Sequence, residues 1–184
     1  TGSLLFLWAL GLEQAVCLGA LTEDSASDLW ATAEQDLESL ATWLTTAHCE
    51  ALFTGLLQTS WAQQPDKVLL LSHDVEALAL PECQLKWMEV TQRATVAYHS
   101  ETVQHGPNAV LADTSTRWVV VAWSPSQPSN EFERDLEALQ LPAGSLLRVD
   151  SRTVKPWPTV SNTPLTRWLT TILSTQLLAL AGYQ

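Results

Sequence analysis

Basic residues are scarce in this sequence. Its 184 residues include nine Lys plus Arg against 20 Asp plus Glu, a formal net charge of −11, and the basic residues form no run. Nucleic acids and anionic membranes both require a positively charged surface on the protein that binds them. Neither is therefore expected as a partner, and the acidity is interpreted as a contribution to solubility.

Cysteine is also scarce. Cys17, Cys49 and Cys83 are odd in number, lie far apart and form no CxxC pair. This excludes a disulfide framework and favours a reducing, cytoplasmic location, with each thiol interpreted as a buried apolar group. His48-Cys49-Glu50 could join a thiol to a base, but sequence neighbours rarely face each other productively, so a helix end is the preferred interpretation.

Long apolar runs and glycine motifs are missing as well. The seven glycines form neither GxGxxG nor another phosphate-binding loop.

Leu4–Leu21 is the most apolar stretch of the sequence, but it contains Glu13. The residues before it, Thr1–Ser3, lack the basic region of a signal peptide. It predicts a helix that packs in the core or against a partner, with a membrane span as the lesser alternative. Because the sequence does not begin with Met, we expect a piece of a longer protein.

The strongest positive signal is a strand. Arg117–Pro125 reads RWVVVAWSP, in which three valines lie between two tryptophans and a proline ends the run. Lys67–Ser72 (KVLLLS) is a second buried strand. Alternation along the first strand predicts that Trp118, Val120 and Ala122 lie on one sheet face, and Val119, Val121 and Trp123 on the other, with both tryptophans largely buried.

The order of segments predicts an α/β fold, with an α+β arrangement as the alternative. We expect a mixed central sheet of about five to six strands with helices packed on it. Residues 1–50 are expected to form an N-terminal helical segment that packs on the domain or on a partner, and residues 51–184 the α/β domain. Further strands are predicted at Ala51–Gln58, Thr95–Tyr98, Ala109–Ala112 and Gly144–Asp150, and helices at Asp28–His48, Pro81–Ala94, Glu131–Leu139 and Pro164–Ala181.

Polar residues at two predicted strand ends define a candidate ligand crevice. His73 and Asp74 follow one strand, and Ser124 and Gln127 follow the other. His73 could act as acid or base with Asp74 orienting it, but no nucleophile or metal spacing accompanies the pair, so a polar strand cap is the preferred interpretation. Three tryptophans complete the predicted lining: Trp87, Trp118 and Trp123.

Metal and charge clusters are weaker candidates. His99, Glu101 and His105 form HxExxxH, which could hold zinc, but no further ligand follows at a standard spacing and no metal is the preferred prediction. No cofactor is indicated. Charged groups at element ends could gather at one sheet edge or be solvated separately: Asp113, Arg117, Glu131, Arg134, Asp150 and Arg152.

Four pieces of the sequence follow a family pattern. They are VLLLSH (Val68–His73), LKWMEVTQRA running into TVAY, RWVVVAWSP followed by EFERDLEAL, and SLLRVD. In order and spacing, the stretch Lys67–Asp150 resembles the DICT sensory domain of diguanylate cyclases and two-component signalling proteins. That family often has a Phe-Gln pair where this chain has Ser72-His73. The resemblance implies an α/β sensory module of bacterial signalling with no catalysis of its own.

The functional prediction is therefore a non-catalytic sensory or regulatory input domain, without catalytic residues. One alternative is a protein-interaction or scaffold module that uses the apolar helices and tryptophans, and another is a small α/β enzyme. The apolar helices predict a protein partner or self-association, such as a dimer. The sequence does not identify a small ligand.

Overall fold

A computed structural model describes residues 2–45, 65–113, 115–124, 129–150 and 163–183. Within these residues four strands form one sheet, in which every pair is parallel and the order is β2-β1-β3-β4. The strands are β1 (Lys67–Ser72), β2 (Ala94–His99), β3 (Trp118–Ser124) and β4 (Leu146–Asp150). The helices are α1 (Gly2–Cys17), α2 (Glu23–Thr45), α3 (Leu80–Thr91), α4 (Ser100–Val103), α5 (Asn108–Leu111), α6 (Asn130–Ala138) and α7 (Pro164–Tyr183), and a 3₁₀ helix spans Asp74–Ala79.

The two interior strands are the two most apolar runs of the sequence. In β1 every residue after Lys67 is buried, and β3 is buried from Val119 to Trp123. Strands of a parallel sheet are covered on both faces, so they lack the polar alternation of half-exposed strands. The register pairs Lys67 with Ala94 on β2 and with Trp118 on β3. All four strands therefore end at the same edge of the sheet.

Helices cover both faces of the sheet. On one face α3 and α7 pack against Val68, Leu70, Val121 and Trp123. On the other face Phe132 and Leu136 of α6 pack against the opposite side chains of β1 and β3, and the predicted alternation of β3 is confirmed. Trp123 is fully buried, whereas Trp118 is only half-buried.

The α/β class is confirmed, but the predicted sheet differs from the observed one. The described residues contain four strands, all parallel, instead of five to six in a mixed sheet. The strand predicted at Ala109–Ala112 is wrong, because Asn108–Leu111 is the short helix α5. Pro107, in helical conformation just before it, favours a helical turn, and four apolar residues alone do not distinguish the two structures. The strand predicted at Ala51–Gln58 lies outside the described residues.

The N-terminal helices join the domain through α2, which packs on α7. Ala33 and Leu40 of α2 form a buried cluster with Leu165 and Leu169 of α7, and Trp43 of α2 joins the core beneath the sheet. The helix α1 packs on α2. No helix in the described ranges is long and apolar enough to cross a membrane.

Much of the apolar surface of α1 is exposed. Leu12 is buried, but Phe6 is 67% exposed and Leu10 45% exposed. The facing sides of α1 and α2 border a groove of about 560 Å³, to which Leu12, Val16 and Trp30 contribute. An apolar patch of this kind commonly marks an interaction surface.

We predict that the chain associates through α1. Replacing Phe6 and Leu10 together by serine should lower the mass measured by light scattering, because both side chains contribute apolar surface that association would cover. Val110→Ser is the matched control, since Val110 is 51% exposed but lies on α5. A monomeric parent chain, or an unchanged mass in the double variant, would contradict this assignment.

The unequal burial of two tryptophans gives a second prediction. Trp123→Ala should lower the free energy of unfolding by about 3–5 kcal/mol, because it removes a ring with 0% exposure. Trp118→Ala should cost less, since that ring is partly solvated already. Urea denaturation measures both values. Equal losses would show that the ring of Trp123 is not the better packed of the two.

Candidate functional site

The carboxyl ends of β1 and β3 lie at the reversal point of the sheet, and the space beyond these ends is referred to as the crevice. From β1 the chain passes to α3 on one face, whereas from β3 it passes to α6 on the other. The two connections therefore diverge, which is where open α/β sheets bind ligands. His73 and Asp74 follow β1 at this position, and Ser124 ends β3. Gln127 lies outside the described residues.

A row of polar side chains crosses this edge from α6 to β1. Ser100, the first residue after β2, donates its hydroxyl proton to Asp135 Oδ2 at 2.8 Å. The other carboxylate oxygen of Asp135 accepts a hydrogen bond from Gln104 Nε2 at 2.6 Å. Nδ1 of His73 lies 3.1 Å from Ser100 Oγ. His73 is thereby connected to a buried carboxylate through one hydroxyl.

The outer side of the His73 ring faces the crevice. Its Nε2 lies 3.8 Å from Glu131 Oε2, and the side chains are 25% and 68% exposed respectively. The ring centroid is 4.9 Å from that of His99 and 6.2 Å from that of Phe132. The imidazole thus lies between buried Phe132 and His99, and its Nε2 is directed at the exposed carboxylate of Glu131.

Asp74 takes an uncommon backbone conformation at the same place. Its φ angle is +59°, in the left-handed region, which Asp tolerates better than most residues. Its N–H lies 3.3 Å from His99 Nε2, while Glu101 N–H lies 3.3 Å from His99 Nδ1. A neutral imidazole accepts at one nitrogen only, so only one of these two contacts is a hydrogen bond in either tautomer. Strained residues of this kind cluster at ligand-binding sites.

A buried ion pair fixes the segment after Asp74. Glu76 in the 3₁₀ helix is 2% exposed and forms a bidentate pair with Arg167 of α7. The hydrogen bonds to Glu76 raise the pKa of Arg167 above its usual value, and the nearby charge of Glu76 adds to the shift. Asp74 Oδ2 lies 3.6 Å from the same guanidinium. The wall of the crevice beside β1 is thus tied to α7.

The three tryptophans predicted for the crevice lie elsewhere. Trp87 and Trp123 are fully buried in the core, with their ring centroids 6.4 Å apart and nearly perpendicular. Trp123 Nε1 donates to Ser174 Oγ of α7 at 2.9 Å. Trp118 begins β3 at the opposite edge, under the ammonium group of Lys67, and lines a cavity of about 440 Å³.

The metal candidates do not come together. His99 ends β2, whereas Glu101 and His105 are both exposed beyond it. Within the part of the chain that the structure describes, no three His, Cys, Asp or Glu side chains are arranged to hold a metal ion.

The charged residues predicted at element ends are divided between the two edges of the sheet. Asp113 and Arg117 lie at the amino edge, Glu131 and Asp150 lie at the carboxyl edge, Arg134 is exposed on α6, and Arg152 lies outside the described residues.

Neither thiol in the described residues is poised as a nucleophile. Cys83 is fully buried in α3, and this desolvation raises the pKa of its thiol to about 12. Cys17 is exposed at the end of α1, away from the sheet. His48-Cys49-Glu50 lies outside the described residues.

Sequence reasoning missed the residues that support His73, namely Ser100, Gln104, Asp135, Glu76 and Arg167. One signal was available for Asp135. It lies beside Leu136 and three residues after Phe132, on the buried side of α6. A carboxylate on an apolar helix face is rarely buried without a partner, so its position indicates a polar contact inside the fold.

Solved structures that this chain resembles in fold include sugar-binding and sugar-phosphate proteins. A Salmonella typhimurium LT2 protein described as sugar-binding matches with a TM-score of 0.66 at 19% identity, over 92% of this chain and 52% of its own. The C-terminal domain of glucosamine-fructose-6-phosphate aminotransferase from Francisella tularensis matches with a TM-score of 0.66 at 16% identity, over 94% and 48%. A Bacteroides fragilis protein described as a phosphosugar isomerase involved in capsule formation matches with a TM-score of 0.57 at 11% identity. The match covers 83% of this chain and 86% of that protein.

These likenesses show that the chain shares its fold with those proteins. The chain spans about half the length of the first two structures. No protein-family model and no curated protein matches the sequence. The resemblance to the DICT sensory domain is therefore wrong, and with it the expected role as a signalling input domain. The motifs behind that resemblance are the buried strands and helices of a parallel α/β unit, which report the core and not the ligand.

The burial of Cys83 gives a testable contrast in thiol reactivity. In a chain with Cys49→Ser, a disulfide reagent at pH 8 should label Cys17 quickly and Cys83 only after unfolding. The reason is that Cys83 is desolvated and stays a neutral thiol, and the thiolate is the reactive form. Mass spectrometry of the labelled peptides measures both rates. Fast native labelling of Cys83 would refute the burial of α3 against α7.

Proposed function

We propose that this chain is a sugar-binding domain that takes a phosphosugar in the crevice at the carboxyl edge of β1 and β3. The observation that carries the proposal is the polar row at that edge, with His73 Nε2 facing outward, in a fold shared with sugar-phosphate proteins. The chain spans about half the length of the first two matching structures, so an activity of a longer protein that contains this domain is likewise only proposed.

The crevice offers the partners that sugar hydroxyls require. His73 supplies Nε2, and the carboxylates of Asp74 and Glu131 accept hydrogen bonds. Carboxylates and imidazoles bind hydroxyl groups through charge-assisted or neutral hydrogen bonds whose geometry is directional. A polyhydroxy ligand fits this set better than an apolar one.

Helix α6 offers backbone N–H donors to a phosphate, and the carboxylates of Glu131 and Glu133 in its first turn oppose them. This helix begins at Asn130 with Ser129 as its cap, and it starts on the carboxyl side of the sheet because it follows β3. The N-terminus of a helix carries partial positive charge and favours phosphate groups. The net charge of −11 opposes an anionic ligand at long range, but salt screens that repulsion beyond about 8 Å in physiological buffer. Local donors therefore decide the affinity.

Calorimetric titration tests the proposal. Fructose 6-phosphate and glucosamine 6-phosphate should bind, and inorganic phosphate or fructose alone should bind more weakly. His73→Ala should weaken binding about five- to tenfold, the loss expected for one hydrogen bond.

Lys67→Met is the control for that titration. Lys67 lies at the opposite edge of the sheet, beside the cavity bordered by Trp118. Its substitution should leave the affinity unchanged. If Lys67→Met weakens binding and His73→Ala does not, the ligand occupies the amino edge and the proposed site is wrong.

A further inference from the structure

The hydrogen bonds around Ser100 fix the tautomer of His73. Ser100 is 1% exposed and Asp135 is 7% exposed. An ionised carboxylate only accepts hydrogen bonds, so the single hydroxyl proton of Ser100 is committed to Asp135. The oxygen of Ser100 can then interact with His73 Nδ1 only as an acceptor. Nδ1 must therefore carry a proton.

This arrangement leaves one nitrogen free to exchange protons. Because Nδ1 is protonated in both the neutral and the charged ring, every gain or loss of a proton by His73 occurs at Nε2. That atom lies on the side of the ring away from buried Ser100 and faces the exposed Glu131 at 3.8 Å, which is too long for a hydrogen bond. A base held in one tautomer by a second residue is a recurring catalytic arrangement.

We propose that His73 is the acid–base residue of the crevice and acts through Nε2 alone, with Ser100 and Asp135 as positioning residues. The identity of the ligand rests on the proposed function. In a ketose phosphate the proton on the carbon beside the carbonyl is the one that a base removes. The C–H bond at C1 breaks, its electron pair forms the C1=C2 double bond of an enediolate, the carbonyl electron pair moves onto O2, and a new N–H bond forms at Nε2. The proton of the O1 hydroxyl moves to O2, the electron pair left on O1 forms the new carbonyl at C1, and the C1=C2 electron pair takes the proton from Nε2 at C2, which completes an isomerisation without any co-reactant.

The first test concerns the tautomer and needs no ligand. Long-range proton–nitrogen correlation NMR at pH 8, where ordinary histidines are neutral, should show the Nδ1–H form for His73. Ser100→Ala removes the acceptor and should shift the ring toward the Nε2–H form. If this variant does not fold, the spectrum of the parent chain decides. A parent chain with the proton on Nε2 would overturn the proposal.

The second test follows proton transfer directly. The full chain is incubated with fructose 6-phosphate in deuterated water, and exchange of deuterium into the sugar is followed by NMR. His73→Gln should reduce the exchange rate by at least about 100-fold, and Asp135→Asn should reduce it less. Glu137→Gln is the matched control, because this carboxylate lies on the same helix but is exposed.

The outcomes separate this inference from the proposed function. Binding of fructose 6-phosphate with no exchange in the parent chain would overturn the acid–base role while leaving the sugar-binding role intact. An exchange rate that is unchanged in His73→Gln would do the same. Absence of both binding and exchange would refute the two together. Exchange that depends on His73, with the Nδ1–H tautomer, would support both.

Discussion

Burial of β1 on both faces is the constraint on which the candidate site depends. Val68 and Leu70 pack under α3 and α7, while Leu69 and Leu71 pack under the opposite helices. A strand covered in this way can pair only within the sheet, and its neighbours β2 and β3 both run parallel to it. The ends of three strands thus coincide at one edge. His73, Ser100 and the end of β3 are neighbours for this reason alone.

Two buried polar contacts connect the segments that border the crevice to neighbouring helices. Glu76 links the segment after β1 to Arg167 of α7, and Asp135 links α6 to Ser100 after β2. Forming such a pair adds little net stability, but removing one partner leaves a buried charge unsatisfied, at a cost of about 3–5 kcal/mol. These contacts consequently specify position more than they stabilise the fold. A site held from two helices and two strands keeps its geometry when a ligand enters.

The sequence predicted the parts of the fold that depend on local pattern. The valine run of β3, the leucine run of β1 and the cap Ser129 are all visible within a few residues of chain. The partners of the site are not visible in this way, because Ser100 and Asp135 lie 35 residues apart, and Glu76 and Arg167 lie 91 apart. The same limit explains the wrong family resemblance. Apolar strands followed by amphipathic helices occur in any parallel α/β unit, whatever its ligand.

The balance of charge at the crevice indicates how a sugar would be oriented there. Among the described residues at this edge, Arg167 is paired with Glu76, and Arg148 of β4 donates to Glu133 at 2.6 Å. The carboxylates of Asp74 and Glu131 are the more exposed groups, at 66% and 68%. Exposed carboxylates repel a phosphate and attract hydroxyl protons. The hydroxyl groups of a ligand would therefore lie beside these two carboxylates, which flank His73, and its phosphate would lie away from Asp74 and from Glu131 in the first turn of α6. That orientation brings the reactive end of the sugar to His73 Nε2.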